Sequence, residues 1–136
     1  MQQPPYHEPV DRVAFYGTLM SGFGFLQELG AGHQLRLLGA CRLEGRLFDM
    51  GEWPTLVLGG GIVHGELFEV LDVAVFAKLD PFEECDPADP GRSRYTRERV
   101  ALVEPETEAW VYVANEPVPH DALIESGSWY AWRTRR

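Results

Sequence analysis

The sequence predicts a small α+β fold: a mixed, largely antiparallel β-sheet, curled or closed into a β-barrel, with short flanking helices. Three observations predict it. The chain has 136 residues, 45% of them apolar and 24% charged, which fits one domain with one core and no need of a metal or disulfide staple. Strand-like runs outnumber helix-like ones. Their order, strand, helix, three strands, helix, two strands, does not alternate strictly, so a doubly wound parallel sheet is disfavoured.

Each element has a local reason. Residues 1–10, "MQQPPYHEPV", are rich in Pro and Gln and read as a flexible tail before a single domain over 11–136. Val13–Tyr16 is short, apolar and β-prone. Phe23–Leu29 places apolar residues at helical spacing and stops at "GAG". In Gln34–Phe48, Arg42, Glu44 and Arg46 alternate with Cys41, Leu43 and Leu47, the pattern of a half-buried strand. "DMGEWP" reads as a turn, "TLVLGGG" as a short strand ending in a flexible bend, and "IVHGELFEV" as another strand. Asp72 can cap a short helix over 72–80. Residues 83–94 read as a loop, 95–103 and 108–114 as strands, and the tail from Glu116 as irregular.

Composition excludes several functions. A net charge of −9 argues against nucleic acid, which requires a basic stripe. No apolar run approaches the ~18 residues that span a membrane, and the first ten residues lack the features of a signal peptide. A cytoplasmic location follows as the expectation, with Cys41 and Cys85 as free thiols. The four histidines have no metal-ligand spacing, so no metal and no cofactor are expected. Cys85 lies beside Glu83 and Glu84, which would raise its pKa rather than activate it. No G-x-S-x-G elbow, dinucleotide fingerprint or P-loop is present.

Two stretches carry candidate chemistry. "VAFYGTLM" ends a strand in Tyr16-Gly17-Thr18-Leu19. It reads as a plain glycine turn or as a loop exposing consecutive N–H groups to a carboxylate or oxyanion. "LDPFEE" ends a helix in Asp80, Glu83 and Glu84. Carboxylates there oppose the helix dipole, and locally unfavourable choices often mark function.

Taken together, the chain resembles the γ-glutamylcyclotransferase-like family over roughly residues 13–130. The resemblance is carried in order by Tyr16-Gly17-Thr18-Leu19, Gly39 and Gly45, "LFDMGEWP", "VHGELFEV", "LDPFE", Tyr95-x-Arg97-x-x-Val100, Ala109-x-x-Tyr112 and Ser126-Gly127-x-Trp129. It implies a small α+β barrel with a pocket, and an enzyme that splits γ-glutamyl amines or peptides into 5-oxoproline and a free amine. It also implies that Tyr16, Gly17, Thr18 and Leu19 hold the γ-glutamyl group and that Glu83 is the acid/base. Tyr95 is added as a pocket residue, and Tyr16 and Trp53 as walls. Many members have glycine after the catalytic glutamate, where this chain has Glu84, so two adjacent acids compete for the pocket.

Such a reaction needs little machinery. The substrate's α-amine attacks its own γ-carbonyl, and well-oriented intramolecular attack reaches effective molarities of ~10⁵ M or more. One carboxylate can take the proton and return it to the leaving amine. The alternative is a non-catalytic module on the same fold that binds a small amino-acid-like ligand. The expected partner is a small γ-glutamyl compound, with the chain a monomer or a homodimer.

Overall fold

The computed structural model describes residues 11–135; the predicted N-terminal tail lies outside them. Among the described residues six strands form one sheet: β1 (Arg12–Phe15), β2 (Leu35–Asp49), β3 (Pro54–Val70), β4 (Tyr95–Ala101), β5 (Glu108–Ala114) and β6 (Leu123–Ile124). The order across the sheet is β4-β5-β1-β3-β2-β6. All pairings are antiparallel except β1 with β5, which meet at Val13 and Trp110. The mixed, largely antiparallel α+β expectation holds. The pairing is open, however: among the described residues no ladder joins β4 to β6, so it does not itself close a barrel.

The long β2–β3 hairpin corrects one expectation. "TLVLGGG" and "IVHGELFEV" are not two strands but one 17-residue strand. Glu44 pairs with Ile62 while Gly45 pairs with Leu58, so residues 59–61 bulge out of a continuing ladder. Gly59 and Gly60 take φ of 82° and 85°, which side chains rarely adopt. The Arg46 Nε–H donates to the Gly59 carbonyl at 3.0 Å and fixes the bulge. A bulge of this kind sharpens the twist without ending the pairing.

Short helices flank the sheet: α1 (Phe25–Glu28), α2 (Phe76–Phe82) and α3 (Trp129–Arg133). Asp72 caps the 3₁₀ turn that leads into α2, its Oδ1 accepting from the Ala74 N–H at 2.9 Å. The segment beyond Glu116 is not irregular as expected. It adds β6 to the edge of β2, and Ser128 caps α3 by accepting from the Ala131 N–H. Trp129 is among the largest fully buried side chains, and Trp132 donates to Asp49 at 2.9 Å. Removing a buried indole of this kind costs about 3–5 kcal/mol, so the C-terminal segment belongs to the core.

The core contains Val13, Leu43, Leu47, Leu56, Val63, Leu79 and Val111. Cys41 and Cys85 are both buried and unpaired. Among the described residues no helix is long and apolar enough to cross a membrane.

Candidate active site

The loop after β1 is held by contacts distant in sequence. Phe15 pairs with Glu66 of β3. A Cβ at the neighbouring Gly65 would lie 2.5 Å from the Phe15 carbonyl oxygen, so only glycine permits this approach. The buried Tyr16 hydroxyl donates to the Tyr112 carbonyl at 2.6 Å. The chain then turns, with the Met20 N–H donating to the Gly17 carbonyl at 3.0 Å. A Cβ at Gly17 would sit 2.8 Å from Pro54 Cγ, so the loop backbone lies directly on the Pro54 ring. Glu66 clamps the far end: its two oxygens accept from the Ser21 N–H at 2.6 Å and the Ser21 hydroxyl at 2.7 Å. Among the described residues, no turn or loop hydrogen bond uses the N–H of Gly17, Thr18 or Leu19.

The second part of the site is the end of α2. Its apolar face buries Leu79 and carries Asp80 with it into the interior. Asp80 accepts from Arg97 Nε at 3.0 Å, from Arg97 Nη2 at 3.1 Å and from the Tyr112 hydroxyl at 2.6 Å. The Arg97 guanidinium also lies 4.1 Å from the Phe76 ring centroid and 4.9 Å from that of Trp110. A bidentate, aromatic-stacked arginine of this type is geometrically fixed. Asp80 therefore pins α2 to β4 and β5.

Glu83 follows as the C-cap residue, its N–H donating to the Leu79 carbonyl at 3.0 Å. Glu84 then adopts φ 52°, the left-handed turn that reverses the chain. The Cys85 N–H closes the motif on the Asp80 carbonyl at 2.8 Å. This reversal separates the two acids. Glu84 is exposed, and its Oε2 lies 3.4 Å from Arg94 Nε. The half-buried Glu83 carboxyl makes no hydrogen bond or ion pair among the described residues. Desolvation first, and the nearby Asp80 charge second, push its pKa up to about 8.

These pieces share one cavity of about 420 Å³. Tyr16, Gly17, Thr18, Leu19, Glu83 and Tyr95 all line it, with Trp53, Pro54 and Tyr112. Glu84 lines it as well, together with its partner Arg94. Tyr95 donates to the Pro54 carbonyl at 3.1 Å, and burial above all pushes its phenol up to about 12. Burial likewise raises Tyr16, with the Glu83 charge adding to it, and raises Tyr112, where the Asp80 hydrogen bond adds to it. All three hydroxyls therefore stay protonated near neutral pH. The arrangement offers one desolvated, unengaged carboxyl, a loop with uncommitted N–H groups, and neutral phenols.

Sequence reasoning missed three participants. The sequence places Asp80 at the same helix end as Glu83, but does not mark it as the anchor that Arg97 and Tyr112 hold. Glu66 has no role of its own in the sequence motif "VHGELFEV"; it binds Ser21. Pro54 ends the motif "LFDMGEWP", but its role is not legible there, because it depends on Gly17, 37 residues away in sequence.

Comparison with known proteins shows the family and the fold. Residues 13–131 match the family described as gamma-glutamyl cyclotransferase, AIG2-like. The gamma-glutamylcyclotransferase family protein YtfP of Escherichia coli K12 is 32% identical over 122 residues, covering 87% of this chain and 95% of that protein. The solution structure of ytfP from Escherichia coli superposes with a TM-score of 0.62 at 30% identity, covering 90% and 99% of the two chains. The crystal structure of an uncharacterized Pyrococcus horikoshii protein, PH0828, superposes with a TM-score of 0.67 at 25% identity, covering 92% and 93%.

Proposed function

This chain belongs to the gamma-glutamyl cyclotransferase, AIG2-like family, and we propose that it converts a γ-glutamyl amine or peptide into 5-oxoproline and a free amine. The observation that carries the reading is the unengaged Glu83 carboxyl, with a pKa near 8, in the same cavity as the Tyr16–Leu19 loop.

In this reading the substrate's γ-carbonyl oxygen and α-carboxylate take the uncommitted N–H groups of Gly17, Thr18 and Leu19. The loop is fixed beforehand by Pro54 and by the Glu66–Ser21 clamp, so the donors are preorganised for the oxyanion. Glu83, as carboxylate, removes a proton while the α-amine nitrogen bonds to the γ-carbon. The tetrahedral centre then collapses, the bond to the leaving nitrogen breaks, and Glu83 returns the proton to that nitrogen. No net proton is consumed, and no covalent bond to the protein forms. A pKa near 8 suits both halves of the cycle, because the group gives up and recovers a proton with little driving force lost. A reducing cytoplasm suits the two unpaired thiols.

The test is release of 5-oxoproline from a panel of γ-glutamyl amides and peptides. Turnover that disappears in Glu83→Gln, with the fold retained by circular dichroism, supports the reading. If γ-glutamyl compounds raised the melting temperature but no 5-oxoproline formed, the fold would act as a binding module instead.

A further inference from the structure

The cavity has room for more than the five-carbon acyl group. Its volume of about 420 Å³ falls in the range of roughly 300–1,000 Å³ typical of pockets that enclose whole small ligands. Its inner end is closed by side chains that are themselves buried: Tyr16, Leu19 and Tyr112. Its outer end is rimmed by half-buried Phe23 and Phe25, and by Phe82, which is 36% exposed. Phe25 comes from α1, which follows the loop, and Phe82 is the last residue of α2, directly before Glu83. Their ring centroids lie 5.7 Å apart at 55°. Two helices thus bring aromatic rings together at the mouth, where the chain leaves them partly uncovered.

The chemistry sets the direction of the substrate. The acyl chain must run inward to the loop donors, and the leaving nitrogen must lie within reach of Glu83. The substituent on that nitrogen therefore points outward, past Phe82. The charged side chains around Glu83 in the lining balance, Arg94 and Arg133 against Glu52 and Glu84, so neither sign of substituent is favoured by net charge. Arg94 is shared between Glu84 and Glu116, at 3.4 and 3.9 Å. Arg133 and Glu52, of opposite sign, are both exposed at the mouth, and no carboxylate or cation pairs with either among the described residues. The apolar surface is what distinguishes one amine from another.

We infer that Phe23, Phe25 and Phe82 form the subsite for the amine portion of the substrate, and that the preferred substrates are γ-glutamyl amides of uncharged amines with an aromatic body. The inference rests on the cyclotransferase reading above. A ring entering this trough leaves water and meets two tilted rings at contact distance, an arrangement aromatic groups favour.

The experiment measures kcat/KM for 5-oxoproline release from five amides differing only in the amine. These are γ-glutamylmethylamide, γ-glutamylbutylamide, γ-glutamylphenethylamide, the cationic γ-glutamylputrescine and the anionic γ-glutamylglycine. One methylene in an apolar pocket discriminates by roughly 10–200-fold, so phenethylamide should exceed methylamide by at least about 10-fold and lead both charged amides. In Phe25→Ser that ratio should fall to about twofold or less, whereas Phe25→Leu should keep much of it. If Phe25→Ser does not fold, Phe82→Ser serves, since Phe82 is the more exposed ring. Turnover that is flat across the series, or highest for a charged amide, overturns the inference and leaves the cyclotransferase reading intact. No turnover of any γ-glutamyl compound overturns both.

Discussion

Asp80 and Glu83 sit three residues apart at the same end of α2, and both oppose the helix dipole, yet the protein treats them oppositely. Asp80 receives three hydrogen bonds, two from a stacked arginine and one from a phenol. Glu83 receives none among the described residues, and it is desolvated beside the Asp80 charge. The first is a charged strut; the second is a carboxyl that holds its proton to about pH 8. A satisfied buried acid ties elements together, while an unsatisfied one remains available for proton transfer. The contrast also explains why α2 is anchored through Asp80: Glu83 keeps its place without ligands of its own.

The largest expected effect comes from removing the available acid. Glu83→Gln should lower kcat for 5-oxoproline formation by about 10²–10⁴-fold, the usual worth of a positioned acid/base. Melting temperature and near-UV circular dichroism should show the fold intact. Comparable turnover in Glu83→Gln and wild type would break the comparison outright.

Removing the strut should act mainly on stability. Asp80→Asn leaves the half-buried Arg97 guanidinium without its counter-charge, a loss of up to about 3 kcal/mol in chemical denaturation. It should also move Glu83 titration to lower pH, because the Asp80 charge is one of the two causes that raise it. Carboxyl carbon NMR would follow that midpoint, expected near 8 in the wild type. An unshifted midpoint in a folded Asp80→Asn protein would show that the two acids are not coupled.

The unsatisfied acid should also leave a signature in stability against pH. In the unfolded chain Glu83 titrates near 4.5, and in the folded protein near 8. Between those values the folded state binds more protons, so stability falls as pH rises. The penalty is complete above about pH 8 and absent well below 4.5. Glu83→Gln removes it. The variant should therefore be more stable than wild type at pH 9, by roughly 1–3 kcal/mol after discounting for solvent at the pocket mouth. The gap should close toward pH 4. Parallel denaturation midpoints across that range would rule out the desolvation on which the reading depends.

The two halves of the site differ in how far the sequence reveals them. The strand before Tyr16, the Asp72 cap and the β4–β5 pair follow from local pattern, and the structure contains each. Residues 59–61 mislead because three glycines look like a strand breaker, while β2 supplies a ladder on both sides of the bulge. The segment after Glu116 misleads because a two-residue strand and a five-residue helix have little propensity of their own. They form by docking: the Gly127 carbonyl accepts from the His64 N–H, and Trp132 donates to Asp49. Glu83 and the Tyr16–Leu19 loop were legible through resemblance. Asp80 as anchor and Glu66 as clamp were not, because Arg97, Tyr112 and Ser21 meet them across 17 to 45 residues of chain.

Glu84 supplies the smallest and sharpest test, because it is a residue with a Cβ held in a conformation that favours glycine. Its φ is 52°. A left-handed conformation burdens a residue with a Cβ by about 1–2 kcal/mol. Glu84→Gly relieves that strain. Against it stand the added freedom of glycine in the unfolded chain, about 0.5–1 kcal/mol, and the loss of an exposed ion pair to Arg94, about 0–1 kcal/mol. The terms nearly cancel, so the denaturation midpoint should move by less than about 1 kcal/mol in either direction. Activity should persist, since the Glu84 carboxylate belongs to the rim and to Arg94. If Glu84→Gly lost turnover as fully as Glu83→Gln, the second acid would be taking part in proton transfer, and the contrast with Asp80 would have to be drawn for a pair of glutamates rather than for one.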